Sequence, residues 1–228
     1  MPHYAEPKNV KVKSVNHLTH DVLQIITEKP NGIKYQPGQA ADVSINKNGW
    51  EEEARPFTFV SLQDENQIEF NTKIYPNHHG VTEQLQYLKP GDELLVGEVF
   101  GAINYKGDGI FIAGGAGITP MLAIFRYLSK NGNPADNKLL FANKTREDII
   151  RKEELENWLG KENFINVLSQ ENTDGFEYGH INADLIRKHT AENLKYYYLC
   201  GPDPMVESIE KQLIDKLNIK PEFIVKEE

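Results

Sequence analysis

Apolar and polar positions alternate through the first hundred residues, the two-residue period of half-buried strands. Val10–Val15 reads Val-Lys-Val-Lys-Ser-Val, and apolar, β-prone runs follow at Val22–Thr27, Ala41–Ile45, Phe57–Leu62, Ile68–Ile74 and Glu93–Val96. Turn-forming residues separate them: Pro30-Asn31-Gly32, Pro37-Gly38, 46–49, 63–66 and Pro90-Gly91. Six short strands at this spacing predict an antiparallel barrel. One amphipathic run, Val81, Leu85 and Leu88, predicts a helix interrupting it from Val81 to Leu88.

After residue 105 the rhythm changes to strand and helix in alternation. Strands are predicted at Ile110–Ala113, Lys138–Ala142, Phe164–Leu168, Tyr196–Cys200 and Phe223–Val225. Helices are predicted at Pro120–Leu128, Glu147–Leu159, Asn182–Lys188 and Pro204–Leu217. That order is the pattern of an α/β doubly wound parallel sheet. The change falls at Asn104–Asp108, which predicts two domains, residues 1–104 and 105–228.

Composition narrows the class without identifying it. With 228 residues, 39% of them hydrophobic and 26% charged, the chain has the make-up of a soluble protein. A net charge of −9 argues against a nucleic-acid binder, which needs a basic face. There is no secretory leader pattern and no apolar run long enough for a membrane span. The single cysteine, Cys200, excludes an internal disulfide and a four-cysteine iron–sulfur cluster in this chain. The expected setting is the cytoplasm.

Four segments can carry chemistry. Gly109 to Met121 combines a buried strand with a glycine turn, Gly114, Gly115 and Gly117, and a helix start at Thr119-Pro120. Glycines allow a sharp turn and close ligand approach, Thr119 is expected to cap the helix, and Pro120 suits its first position. A helix start of this kind favours phosphate. The turn is a near miss to the dinucleotide fingerprint, because Pro120 stands at the third glycine and Asn143-Lys144-Thr145 replaces the acid at the next strand end. The second segment is Arg55-Pro56-Phe57-Thr58: a guanidinium that can fork onto phosphates, a fixed backbone, a ring face and a hydroxyl. Gly80-Val81-Thr82 is another helix start, read either as a phosphate site or as a plain N-cap by Thr82. His78-His79 before it has no companions at metal-ligand spacing and reads as a solvated loop, so no metal site is expected. Last comes Cys200-Gly201-Pro202 with Met205, at the carboxyl end of a strand, where open α/β sheets bind ligands.

In this order and spacing the four segments resemble the ferredoxin–NADP(H) reductase superfamily, over roughly residues 8–225. The resemblance implies a Greek-key barrel that binds FAD, with FMN less favoured, and a C-terminal sheet that binds NAD(P)H. It implies that Arg55 holds the flavin phosphates, Phe57 packs on the isoalloxazine and Thr58 hydrogen-bonds near N5. Lys73-Ile74-Tyr75 resembles the segment whose backbone lines the flavin, and Gly80-Val81-Thr82 the pyrophosphate-binding helix start. The glycine turn and Cys200-Gly201-Pro202-x-x-Met205 resemble the nicotinamide-nucleotide motifs, with Cys200 near the nicotinamide C4.

Three departures stand out. Phe57 replaces the family's tyrosine. The last aromatic is Phe223 rather than a terminal flavin-covering ring. Ser169-Gln170 stands where NADP-specific relatives carry Ser-Arg, which slightly favours NADH unless Lys144 or Arg146 supplies the missing cation. The expected activity is NAD(P)H-dependent reduction of a separate acceptor, with a ferredoxin or flavodoxin first and free flavin, a haem protein or an oxygenase component as alternatives. The rival reading is a non-catalytic flavin-binding electron-transfer or regulatory subunit. Nothing in the sequence addresses the oligomeric state.

Overall fold

The computed structural model describes residues 6–76, 80–191 and 193–227. The His78-His79 segment therefore lies outside the described residues. The chain divides into two compact units, Met1–Gly101 and Ala102–Glu228.

The first unit is a six-stranded antiparallel sheet built from β1 (Lys8–Thr19), β2 (Val22–Glu28), β3 (Ala40–Ile45), β4 (Arg55–Thr58), β5 (Gln67–Lys73) and β6 (Glu93–Phe100), with α1 (Val81–Gln84) between β5 and β6. Its order is β4-β3-β6-β1-β2-β5. Irregular registers in β1, after Val12 and after His17, and in the β3–β6 pair bend the sheet around its core. Alternate residues point into that core, among them Val10, Val12, Ile25, Phe59, Phe70 and Leu94.

Two expectations are corrected here. The strand expected at Phe57–Leu62 ends at Thr58. The Phe59 N–H donates to the Gln39 carbonyl beside β3, and the Val60 N–H donates to the Glu69 carbonyl on β5. The chain thus changes partners at a barrel corner, and its apolar run is core rather than ladder. The helix expected at Val81–Leu88 is one α-turn followed by a 3-10 turn, Leu85–Tyr87.

The second unit contains β7 (Gly109–Gly114), α2 (Thr119–Asn131), β8 (Lys138–Asn143), α3 (Lys152–Leu159), β9 (Phe164–Leu168), β10 (Glu177–Tyr178), α4 (Ala183–His189), β11 (Tyr196–Cys200), α5 (Asp203–Leu217) and β12 (Ile224–Val225). All its strand pairs are parallel, in the order β10-β9-β8-β7-β11-β12. The short β7 run is completely buried, as a central parallel strand must be. The order reverses at β7, with β8 on one side and β11 on the other, so the topological switch point lies at the carboxyl end of β7. The glycine turn sits at that point.

Helix α3 begins five residues later than the pattern predicts. Thr145 and Asp148 form a reciprocal capping box around a 3-10 turn, and Arg151 adopts a left-handed conformation, φ 56°, before the helix starts. The cause is Ile149 and Ile150. Both are buried. On a helix continuous with the buried Leu155 and Leu159, neither would face the sheet. The two-residue edge strand β10 is too short for any period to announce it.

Candidate functional site

In the first unit, the pattern of β4 places its side chains unequally. Arg55 and Pro56 are exposed, Phe57 is buried and Thr58 is half-buried. The Arg55 guanidinium donates to the Ala54 carbonyl at 2.7 Å and approaches the Glu53 carboxylate at 3.6 Å. These are solvent-exposed, neighbouring contacts that hold the group weakly, so it remains available to a phosphate. The Phe57 ring is only 6% exposed and lies 6.0 Å from Phe70, tilted by 59°. It belongs to the barrel core, which the sequence did not anticipate.

The segment after β5 shows the converse arrangement. Lys73 pairs with Asp21 at 2.5 Å, and the Ile74 N–H donates to the Asp21 carbonyl. Burial alone would raise the Asp21 carboxyl, but the Lys73 ammonium outweighs it and holds the carboxyl below its ordinary range. The Lys73 side chain is therefore engaged within the barrel, and backbone is what this residue can offer a ligand. Ile74 is buried, while the Tyr75 ring is 43% exposed. Of the three, Tyr75 presents the open face that a flat ring system needs.

Helix α1 is capped by Gly80 and not by Thr82, and no side chain caps it. Glu83 in the same turn puts a carboxylate beside the anion site expected at Gly80-Val81-Thr82. Val81 is buried and anchors the turn to the core.

In the second unit two motifs fit together as one block. Ala113 of β7 lies opposite Cys200 of β11. A Cβ on Gly117 would stand 2.4 Å from the Cys200 carbonyl oxygen and 2.6 Å from the Gly201 nitrogen. One on Gly114 would meet the Met205 sulfur at 2.6 Å, and one on Gly201 the Gly114 nitrogen at 3.1 Å. Backbone packing between the motifs thus requires Gly117, whereas Gly201 is tight against backbone and Gly114 faces the Met205 and Pro202 side chains. Gly115 is different: its φ is +51°, and nothing lies within 4 Å of the position a Cβ would take. It is the one glycine of the turn that leaves room for a ligand.

Thr119 does not cap α2. A 3-10 turn, Gly115–Ile118, precedes the helix, and the Thr119 hydroxyl donates back to the Ala116 carbonyl from inside the first turn. Pro120 occupies the start of the helix as expected.

Cys200 is partly buried, and its thiol is pushed up to about 12, first by desolvation and then by the Glu227 carboxylate. It is a neutral thiol at physiological pH. Phe223 stands at the other end of the strand: β12 pairs Ile224 with Tyr197, and the Phe223 ring meets Tyr196 edge-on at 6.0 Å. The last aromatic therefore covers the amino end of β11. Lys226 and Glu227 beyond it have partners within this unit. Lys226 pairs with Glu210 at 3.0 Å, and the Ala102 N–H donates to the Glu227 carboxylate.

The residues expected to read the ribose lie at neighbouring strand ends. The Ser169 N–H donates to the Asn143 carbonyl and the Gln170 N–H to the Lys144 carbonyl, extending the β8–β9 ladder. Lys144 and Gln170 are exposed. Arg146 is bound to Glu171, which accepts from both its side chain and its backbone N–H at 2.9 Å. That pair neutralises one of the two cations expected to substitute for the missing arginine. Glu171 was missed because its sequence position lies beyond the strand end where the fingerprint places an acid.

These residues suit the two cofactors. An exposed guanidinium and a tyrosine ring open to solvent suit a flavin nucleotide, and an open left-handed glycine at a switch point suits a dinucleotide. Among the described residues no helix is long and apolar enough to cross a membrane.

Comparison with known proteins agrees. Residues 7–90 match the model of an FAD-binding domain and residues 111–211 that of an oxidoreductase NAD-binding domain. NADH-cytochrome b5 reductase 1 of Aspergillus terreus is 31% identical over 229 residues, covering 91% of this chain and 77% of the relative. The reductase component of propane 2-monooxygenase from Mycolicibacterium smegmatis is 29% identical over 217 residues, covering 87% of this chain and 61% of that protein. The chain spans about three fifths of the length of several curated relatives it matches. Among solved structures, the CS-b5R domains of human Ncb5or in the NAD+ form superpose with a TM-score of 0.84 at 26% identity, covering 97% of this chain and 69% of the other. The chain belongs to the ferredoxin–NADP(H) reductase superfamily, with an FAD-binding and an NAD-binding domain.

Proposed function

We propose that the protein is an NAD(P)H-dependent flavoprotein reductase, with a preference for NADH, that passes electrons to a separate redox protein. The observation that carries this reading is the packed block of the glycine turn and Cys200–Met205, which leaves Gly115 alone open at the switch point. When bound, FAD would accept two electrons as hydride from the nucleotide and release them singly or together.

The chain's own residues orient and shield. Arg55 binds the flavin phosphates, and Gly80, Val81 and Thr82 supply the helix start that faces them. Pro56 and Thr58 shape the ring site, with the Thr58 hydroxyl set for a hydrogen bond near N5. Phe57 backs that site from the core, and Ile74 and Tyr75 line it beside the Lys73 backbone. On the second unit Gly114, Gly115, Gly117, Thr119 and Pro120 form the nucleotide turn, and Cys200, Gly201, Pro202 and Met205 its wall. Cys200 keeps its proton, so it offers a small, uncharged surface to the nicotinamide and no nucleophile. Lys144, Ser169 and Gln170 meet the adenosine ribose. The Arg146–Glu171 pair supports NADH.

The acceptor is a haem protein or an oxygenase component by analogy with the names of the relatives, ahead of a ferredoxin or flavodoxin. The test is an anaerobic titration of the purified protein followed by visible absorbance. Bleaching of a flavin spectrum by NADH at lower concentration than by NADPH is the expected result. A flavin that neither nucleotide bleaches would make the chain a binding module, and failure to bind FAD would remove both readings. Cys200→Ala should slow the bleaching while leaving flavin retention unchanged.

A further inference from the structure

The carboxyl end of β8 holds a polar side chain that nothing among the described residues satisfies. Asn143 is 8% exposed, and neither its Nδ2 nor its Oδ1 has a hydrogen-bond partner. Its backbone carbonyl is used in the sheet, accepting from the Ser169 N–H. Leaving both a donor and an acceptor of one amide unpaired is costly, and such a group persists where something else repays it.

Its position shows what that could be. Phe111 pairs with Leu139 in the β7–β8 ladder, so Leu139, Phe141 and Asn143 share the face on which Phe111 meets Phe125 of α2. Gly114 pairs with Ala142, so Asn143 is level with Gly115, the open residue of the turn that leads into α2. Asn166, one pleat back on β9 and on the same face, also has an unpartnered Oδ1. A polar spot therefore lies beneath the glycine turn, at the strand ends where Lys144 and Ser169-Gln170 project.

We propose that the Asn143 amide binds the adenosine ribose of the nucleotide, donating to one hydroxyl oxygen of the diol and accepting from the other hydroxyl. A side-by-side donor and acceptor match a vicinal diol, whereas a phosphate offers acceptors only and leaves Oδ1 unpaired. The same pairing makes Asn143 a specificity-determining residue, because a 2′-phosphate removes one hydroxyl of the diol. The amide atoms are buried in the free protein, so binding requires the turn above them to shift. The inference rests on the glycine turn being the NAD(P)H site.

The test compares the FAD-loaded protein with Asn143→Leu, and with Asn143→Ala should leucine prevent folding. Nucleotide binding is measured by calorimetry with ADP-ribose and 2′-phospho-ADP-ribose, and the thermal midpoint is measured without nucleotide. Either variant should weaken ADP-ribose about tenfold or more, equivalent to the loss of one or two hydrogen bonds. It should also erase most of the wild-type preference for ADP-ribose over its 2′-phosphate. Asn143→Leu should raise the midpoint by a few degrees, since it removes an unpaired buried amide. Unchanged ADP-ribose affinity, an unchanged preference, or a lower midpoint with leucine would overturn the proposal. Wild-type protein that binds neither nucleotide would overturn the reading of the turn itself.

Discussion

Single residues decide how the nucleotide motifs fit together, and the three glycines of the turn are not equivalent. Gly117→Ala drives a methyl group into the Cys200 carbonyl at 2.4 Å, and backbone cannot move aside as a side-chain tip would. Overpacking of this kind costs ~1–3 kcal/mol or more. Gly115→Ala meets no atom and suffers only from its φ of +51°, a cost of ~1 kcal/mol. Urea denaturation should rank Gly117→Ala as the more damaging of the two; the reverse order would separate the turn from Cys200. Sequence alone read all three glycines as serving a sharp turn and close ligand approach, because a glycine needed for packing and one needed for binding look alike until the neighbouring strand is in place. Thr119 misled for a related reason. Its hydroxyl satisfies a carbonyl in the preceding turn, and the start of the helix is set by Ile118.

Periodicity identified most elements, and it failed where burial and ladder pairing part company. Phe59 and Val60 are core residues whose N–H groups go to different strands, so an apolar run continued past the strand that it resembles. Ile149 and Ile150 did the same to a helix. The caps expected at Thr82 and Thr119 are not made, whereas Asn182, expected only as the first residue of its helix, does cap one. Asn182 precedes α4, and its side-chain oxygen accepts from the Asp184 and Leu185 N–H groups, both at 3.0 Å. Asn182→Ala should cost ~1 kcal/mol of stability by unsatisfying both donors, a loss readable as a shift in the denaturation midpoint at unchanged slope. Aspartate at the same position should restore most of it. The loop before β7 is held more firmly. The Tyr198 hydroxyl donates to the Gly107 carbonyl and accepts from the Lys106 and Gly107 N–H groups. Its phenol is pushed up to about 12 by burial. No sequence pattern marks a tyrosine for that task; its partners lie some ninety positions away.

At the scale of the whole molecule, charge is the property that reaches beyond the site. A net charge of −9 favours encounter with a cationic acceptor and slows encounter with an anionic one. Reduction of a basic cytochrome should therefore slow as ionic strength rises, and reduction of an acidic one should quicken. Salt-independent rates with both would show that net charge plays no part in docking. The division into a barrel and a doubly wound sheet was legible from the change of rhythm near residue 105, because each architecture has its own period. The arrangement at the sheet's carboxyl edge was not. It depends on which strands become neighbours, and β11 comes to lie beside β7 across more than eighty residues of intervening chain.

The protonated state of Cys200 also bears on wear. Oxidants attack thiolates, and a thiol held near 12 is almost never one. A sulfur with an ordinary thiol pKa would be oxidised faster by peroxide. The linkage runs the same way: the folded state binds this proton more tightly than the unfolded chain, so the stability it contributes is complete below about pH 9 and fades as pH rises towards about 12. Folded protein incubated with peroxide at neutral pH should keep a titratable thiol that urea-unfolded protein loses, which makes the lifetime of the sulfur a property of the fold around it.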